Sequence, residues 1–249
     1  MLETLNNPVL YWGIIAGVLQ LLGYTLYIRY QGKEEIEPNP YTWLMFAYGT
    51  VLLAFLELDN IIVNAHGDFV TFALLLLPFI CSLGAVVVFY LVWSRNRKLG
   101  YPQNIWWPKN TWDKGSLVID ILITICYVGI WGLSLWALMT TGGREAWAWW
   151  LLFFSNVSTF PGFVPMLLEV WDEPETEDYR PWLIWGLAYS ALGIATYAEV
   201  QTLWHALMFY PLSNAIMHSL VGILAVRRPK KNIPRLNRRR LNPEPVPID

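Results

Sequence analysis

The chain of 249 residues is 55% hydrophobic, 16% aromatic and only 14% charged, with a mean hydropathy of +0.38. Soluble domains carry about 25% charged residues, so this balance excludes an ordinary water-soluble fold and makes a lipid bilayer the expected solvent. The formal charge of -2 conceals a segregation of basic residues along the chain, which sets the expected topology.

Seven segments are long and apolar enough to cross about 30 Å of hydrocarbon, a length that takes roughly 17 to 25 helical residues. In chain order the expected spans are Val9–Tyr30, Tyr41–Leu58, Val70–Trp93, Leu117–Leu138, Trp147–Val170, Trp182–Tyr197 and Leu203–Val226. Met1–Pro8 has no basic region and no small-residue cleavage site, so the first span is expected to be a retained anchor. Polar stretches with Pro and Gly at their borders separate the spans, and Trp106, Trp107, Trp112, Trp147 and Trp149 stand where interfacial aromatics are expected. Seven spans place the loops after helices 1, 3 and 5 on the same side as the C-terminus. That side holds 16 of the 17 Lys and Arg residues, with Arg144 alone opposite. The positive-inside rule makes it cytoplasmic and puts the N-terminus outside. Asn156 lies in an Asn-Val-Ser sequon inside an apolar run, so glycosylation there is discounted, and Cys81 and Cys126 read as small hydrophobes.

A repeat organises these spans. Trp43 set on Trp182 without a gap places Phe46 on Trp185, Ala47 on Gly186 and, upstream, Gly23 on Gly162. A second pairing sets the segment from Pro78 to Arg95 on that from Pro211 to Arg228, which puts Cys81 on Asn214. Helices 1 to 3 and 5 to 7 therefore read as two copies of one unit. Two parallel copies of a three-helix unit need one extra span between them, and helix 4 supplies it. The expected fold is all-α and multipass, in a 3+1+3 plan. Residues 9–95 form the first unit, 96–141 a cytoplasmic loop with linker helix 4, and 147–228 the second unit, leaving 229–249 as a basic disordered tail.

Polar side chains in hydrocarbon are costly unless they face a partner or a wet cavity. Asn214 stands at the centre of helix 7 with His218 one turn on, Ser155, Asn156, Ser158 and Thr159 surround the centre of helix 5, and Gln20 lies in helix 1. These residues, with Cys81, are candidates for a midplane binding site. Hydrogen bonding to a neighbouring helix is the competing role for Asn214, Asn156 and His218. Back-bonding to helix carbonyls competes for Ser155, Ser158 and Thr159. Pro78, Pro161, Pro165 and Pro211 are candidate hinges, or simply kinks. Gly13 and Gly17 form a small-residue pattern suited to close helix packing. Glu57, Asp59 and Glu199 stand near the outer ends of helices 2 and 6, either as a gate or proton-linked rim or as solvated acids. Asp120, about one turn into the expected helix 4, is a weaker candidate of the same kind.

The span count, the short charged loops after helices 1 and 5, Trp43 and Trp182 opening helices 2 and 6, and Tyr210-Pro211-Leu212-Ser213-Asn214 together resemble the SWEET and PQ-loop superfamily. The Pro-Gln pair that names the PQ-loop group is absent: helix 5 carries Pro161 and Pro165 without Gln, and Tyr101-Pro102-Gln103 falls in a loop. The resemblance implies a carrier or facilitator of a small polar solute, such as a sugar, amino acid or vitamin-like molecule, working by alternating access. It implies that Asn214 lines the pocket, a role Cys81 does not match. A receptor or sensor without transport, as in KDEL receptor-like proteins, is the alternative.

No cofactor, metal or enzymatic activity is expected. The expected partners are a small solute, membrane lipids with anionic lipid at the basic tail, and further copies of the chain, without nucleic acid. All six lysines fall in expected loops or the tail, which excludes a Schiff-base chromophore within helix 7. A bacterial plasma membrane is the default location.

Overall fold

A computed structural model of the chain describes residues 7–33, 35–36, 38–64, 71–98, 111–135 and 141–227. Its long helices are α1 (Pro8–Gly32), α2 (Pro40–Asn64), α3 (Leu76–Lys98), α4 (Thr111–Leu135), α5 (Thr141–Asp172), α6 (Tyr179–Val200) and α7 (Ala206–Val226). Short 3-10 turns at Thr71–Leu75 and Pro174–Thr176 lead into α3 and toward α6, and no strand occurs among the described residues. All seven helices contain a stretch long and apolar enough to span a bilayer. The chain is therefore a multipass membrane protein. The basic tail, Trp106, Trp107 and the Tyr101–Gln103 stretch lie outside the described residues.

Local chemistry sets the helix ends. Asn7 accepts from the amide of Val9 at 2.9 Å and Pro8 opens α1, while Asp178 accepts from the amide of Arg180 at 3.0 Å to open α6. Such caps satisfy donors that the first helical turn leaves free. Gln201 ends α6 in the left-handed conformation, φ 54°. The chief difference from the expected boundaries is at α4, which begins six residues before Leu117 and so takes Asp113 and Lys114 into the helix. These charged residues read as loop in the sequence. Asp113 is nevertheless buried, and Lys114, expected in a loop, lies in the first turns of α4.

Apolar side chains cover the outside of the bundle, while several polar ones are buried within its largely hydrophobic core. Leu83, Ile125 and Val128 are each more than 60% exposed, whereas Gln20, Glu57, Asp120, Asn156 and Asn214 are below 5%. α3 packs against both α1 and α2, and α7 against both α5 and α6. Across these groups α1 packs on α6 and α2 on α5, while α4 packs on α5 and α2. Small residues allow the closest approaches. A Cβ at Gly13 would overlap the backbone of Ala73, one at Gly17 the side chain of Leu76, and one at Gly23 the indole of Trp185.

Positions paired by the sequence repeat make matching contacts. Tyr24 and Phe163 stand at the offset that relates Trp43 to Trp182. The Tyr24 ring lies 4.9 Å from that of Trp185, and Phe163 lies 4.8 Å from Phe46. Tyr24 to Trp43 is 6.5 Å and Phe163 to Trp182 is 6.3 Å. Trp43 and Phe46 meet edge-on at 85°, and Trp182 and Trp185 at 86°. Arginines at the ends of α3 and α7 also act alike. Arg95 donates to the carbonyl of Gln31 at 3.4 Å, and Arg227 donates to those of Val170 and Trp171 at 3.5 and 2.9 Å. Each places a cation at the negative end of a helix dipole, that of α1 in one case and α5 in the other.

Candidate functional site

One hydrogen-bonded group closes the space between the end of α1 and the start of α6. Glu177, buried in the connection after α5, accepts from the Tyr27 hydroxyl at 2.8 Å through Oε1 and from Trp182 Nε1 at 3.0 Å through Oε2. The Tyr27 hydroxyl accepts in turn from Trp43 Nε1 at 3.1 Å. Both tryptophans of the repeat are thus tied to one carboxyl group. Beside it Arg180 donates to the Tyr30 hydroxyl at 2.8 Å. Glu177 lies outside the spanning segments, and burial pushes its carboxyl up from the ordinary 4.5 to about 8. The two hydrogen bonds pull the other way without offsetting the loss of hydration.

Deeper between the helices is a cavity of about 630 Å³, counting the space at its rim, to which all seven helices contribute. Aromatic rings from α1, α2, α5, α6 and α7 form much of the wall, notably Tyr24, Trp43, Phe46, Phe163, Trp182 and Tyr189. A relay of polar groups crosses it. The Tyr24 hydroxyl donates to the Cys81 carbonyl at 3.0 Å, Cys81 Sγ lies 3.2 Å from the Tyr189 hydroxyl, and that hydroxyl lies 3.1 Å from Tyr210 Oη.

The opposite wall carries Asp120. Its Oδ1 accepts from Ser158 at 2.7 Å, and Ser116 donates to the Ser158 carbonyl at 3.3 Å. Its Oδ2 faces Gly49 of α2, where an added Cβ would stand 3.2 Å away. His218 donates from Nδ1 to the Asn214 carbonyl at 2.8 Å, since a carbonyl can only accept; this fixes the tautomer and leaves Nε2 with its lone pair. Its ring sits among Phe163, Trp182, Trp185 and Tyr189 at 4.8–5.8 Å.

Of the candidates read from the sequence, Asn214, His218, Cys81, Ser155, Ser158 and Thr159 line this cavity. Gln20 and Asn156 are buried outside its lining. Asn156 donates to the Leu152 carbonyl at 2.8 Å, as a helix back-bond. The Gln20 side chain lies near Tyr24 and Cys81 but, among the described residues, neither of its polar atoms makes a hydrogen bond of good geometry. Glu57 and Asp59 are buried, contrary to the expectation of solvated acids, because α2 continues past them to Asn64; Glu199 is exposed. The Glu57 carboxyl lies within electrostatic reach of Tyr189 and Tyr210. Asp120 also departs from expectation. With α4 starting at Thr111 it stands well inside the helix and faces the cavity. Among the prolines, Pro161, Pro165 and Pro211 are helix-interior, but Pro78 stands in the first turn of α3, where its missing N–H breaks little.

Sequence reasoning missed Glu177 and the ring of tyrosines and tryptophans. Glu177 is one acid among Glu173, Glu175 and Asp178, and nothing local separates it from them. The tyrosines carried a signal in their helical spacing: Tyr24, Tyr27 and Tyr30 share one face of α1, and all three are buried. Among the described residues no group of three or more His, Cys, Asp or Glu side chains is placed to hold a metal ion. No family model, curated protein or solved structure matches the chain.

Proposed function

We propose that the chain is a carrier or facilitator that moves a small polar solute across a bacterial plasma membrane by alternating access. The observation that carries this reading is the cavity itself. All seven helices line it, and the Tyr27–Glu177–Trp182 group closes the space between α1 and α6 at one end of the bundle. Two parallel three-helix units joined by α4 give the motion its parts. Support comes from the matching ring contacts and from the paired packing of α1 on α6 and α2 on α5. Rocking one unit against the other then exposes the cavity to each face in turn. The N-terminus faces outward in this scheme, with the arginine-bearing ends of α3 and α7 in the cytoplasm.

The test is a thermal-stability screen of the purified protein in detergent against sugars, amino acids, nucleosides, vitamins and organic acids, with Asn214→Ala alongside. A ligand present at about 100 times its dissociation constant stabilises the folded state by about 2.7 kcal/mol. A shift in the native protein that is lost in Asn214→Ala, followed by uptake of that compound into proteoliposomes, is the expected result. Binding without uptake would overturn the carrier reading.

A further inference from the structure

The unused polar groups of the cavity are nearly all acceptors. Among the described residues no hydrogen bond is made to Asp120 Oδ2, His218 Nε2 or the Asn214 side-chain oxygen. Most of the donors around them are already committed, the exceptions being the Ser155 hydroxyl and the second N–H of Asn214. Trp43 and Trp182 direct their indole N–H groups away, to Tyr27 and Glu177. Thr50 and Ser116 donate to the backbone carbonyls of Phe46 and Ser158, and Ser158 donates to Asp120. No Lys or Arg lines the cavity. A ligand that fits this wall must bring its own donors and, opposite a buried carboxylate without a basic partner, a positive charge.

The remainder of the wall favours the same ligand. Aromatic faces carry negative charge density, and a cation lying over them in a dehydrated site gains about 2 kcal/mol or more. Inorganic cations fit poorly, because sodium- or calcium-like ions require a shell of several oxygen ligands that one carboxylate among aromatic rings does not supply. Anions meet the Asp120 carboxylate and only a few neutral donors. A polyol needs as many donors as acceptors from its site, and the free donors are few.

We infer that the cavity binds a small organic ammonium ion with an apolar or aromatic body, its charge held at Asp120 and its body against the surrounding rings. This rests on reading the cavity as the solute site. Gly49 serves as the gap through which the ammonium group reaches Oδ2, because any side chain there would stand against that oxygen.

The experiment is a titration of the full-length protein in detergent, followed by tryptophan fluorescence, with three compounds of one shape: 2-phenylethylammonium, 2-phenylethanol and phenylacetate. The ammonium ion is expected to bind at least about tenfold more tightly than the alcohol, and the carboxylate not at all. Asp120→Asn keeps the shape and the acceptor for Ser158, and is expected to remove the preference for the ammonium ion while leaving the alcohol's affinity within about twofold. If Asp120→Asn does not fold, Gly49→Ala replaces it, with a selective loss of ammonium affinity expected. Equal binding of alcohol and ammonium ion, or a preference that survives both substitutions, overturns the inference. A sugar or other neutral solute that stabilises the protein where the ammonium ion does not overturns it too, yet leaves the carrier reading intact. Failure of every compound in both experiments removes the two together.

Discussion

Tyr27 of α1 donates a hydrogen bond to Glu177, 150 positions further along the chain, at 2.8 Å. The contact is buried and ends on a carboxyl group. It fastens the C-terminal end of α1 to the start of α6, where α1 and α6 also pack along their lengths.

The Glu177 carboxyl gives that fastening a pH dependence. Its folded-state value of about 8 lies above the ordinary 4.5, so between these values the folded protein keeps a proton that the unfolded chain releases. Its contribution is therefore fully present below about pH 4.5, falls as the pH rises, and is flat above about pH 8. The melting temperature of Glu177→Gln should lack this decline. Parallel melting curves for the two proteins from pH 4.5 to 9 would refute the assignment.

Replacing the two tryptophans by phenylalanine should have unequal effects. Trp182→Phe leaves Glu177 Oε2 without its donor in a buried site and is expected to cost about 1–3 kcal/mol beyond the loss of ring area. Trp43→Phe removes a donor from the Tyr27 hydroxyl, which still donates to Glu177, so its cost is smaller. Unfolding by SDS in mixed micelles ranks them, and the reverse order would show that Glu177 does not depend on Trp182.

The glycines divide by what surrounds them. An added Cβ at Gly23 meets the indole of Trp185 and one at Gly84 the ring of Tyr24, so Gly23→Ala and Gly84→Ala should each destabilise by about 1–3 kcal/mol. Gly129 and Gly132 of α4 have open space around them, and alanine there should be neutral or stabilising by up to about 1 kcal/mol. Thermal unfolding of the four variants checks this, and equal losses at all four sites would contradict the packing.

Gln20 offers a test of opposite sign. It is fully buried and, among the described residues, neither polar atom of its side chain makes a hydrogen bond of good geometry, so Gln20→Met keeps the volume and removes a poorly satisfied amide. The melting temperature should rise, by the equivalent of about 1–3 kcal/mol. A fall would show that the amide serves a bound molecule or water.

The spans were legible because length and apolarity suffice to define them, and the paired rings because aromatic residues stand at equal offsets in the two aligned segments. Face assignment was harder. Asn156 and Ser155 are neighbours 100° apart on one helix, and which of them meets the cavity depends on how α5 packs against α2, α4 and α7. The same limit hid Asp120, whose place in α4 depends on where that helix starts. Glu177 was illegible for a different reason. Its burial is conferred by Tyr27 and Trp182 from other elements, while its own surroundings in the chain are acidic and read as solvent-exposed.

The carboxylate at the cavity wall belongs to α4, the helix left without a counterpart in the proposed 3+1+3 plan. On that plan the scaffold approaches two-fold balance while the cavity's carboxylate at Asp120 sits to one side of the axis. A solute held there would stay with the linker helix while the two halves uncover it in turn. In a facilitator its two half-cycles, release toward either face, then proceed at different rates even though the concentrations they equalise are the same.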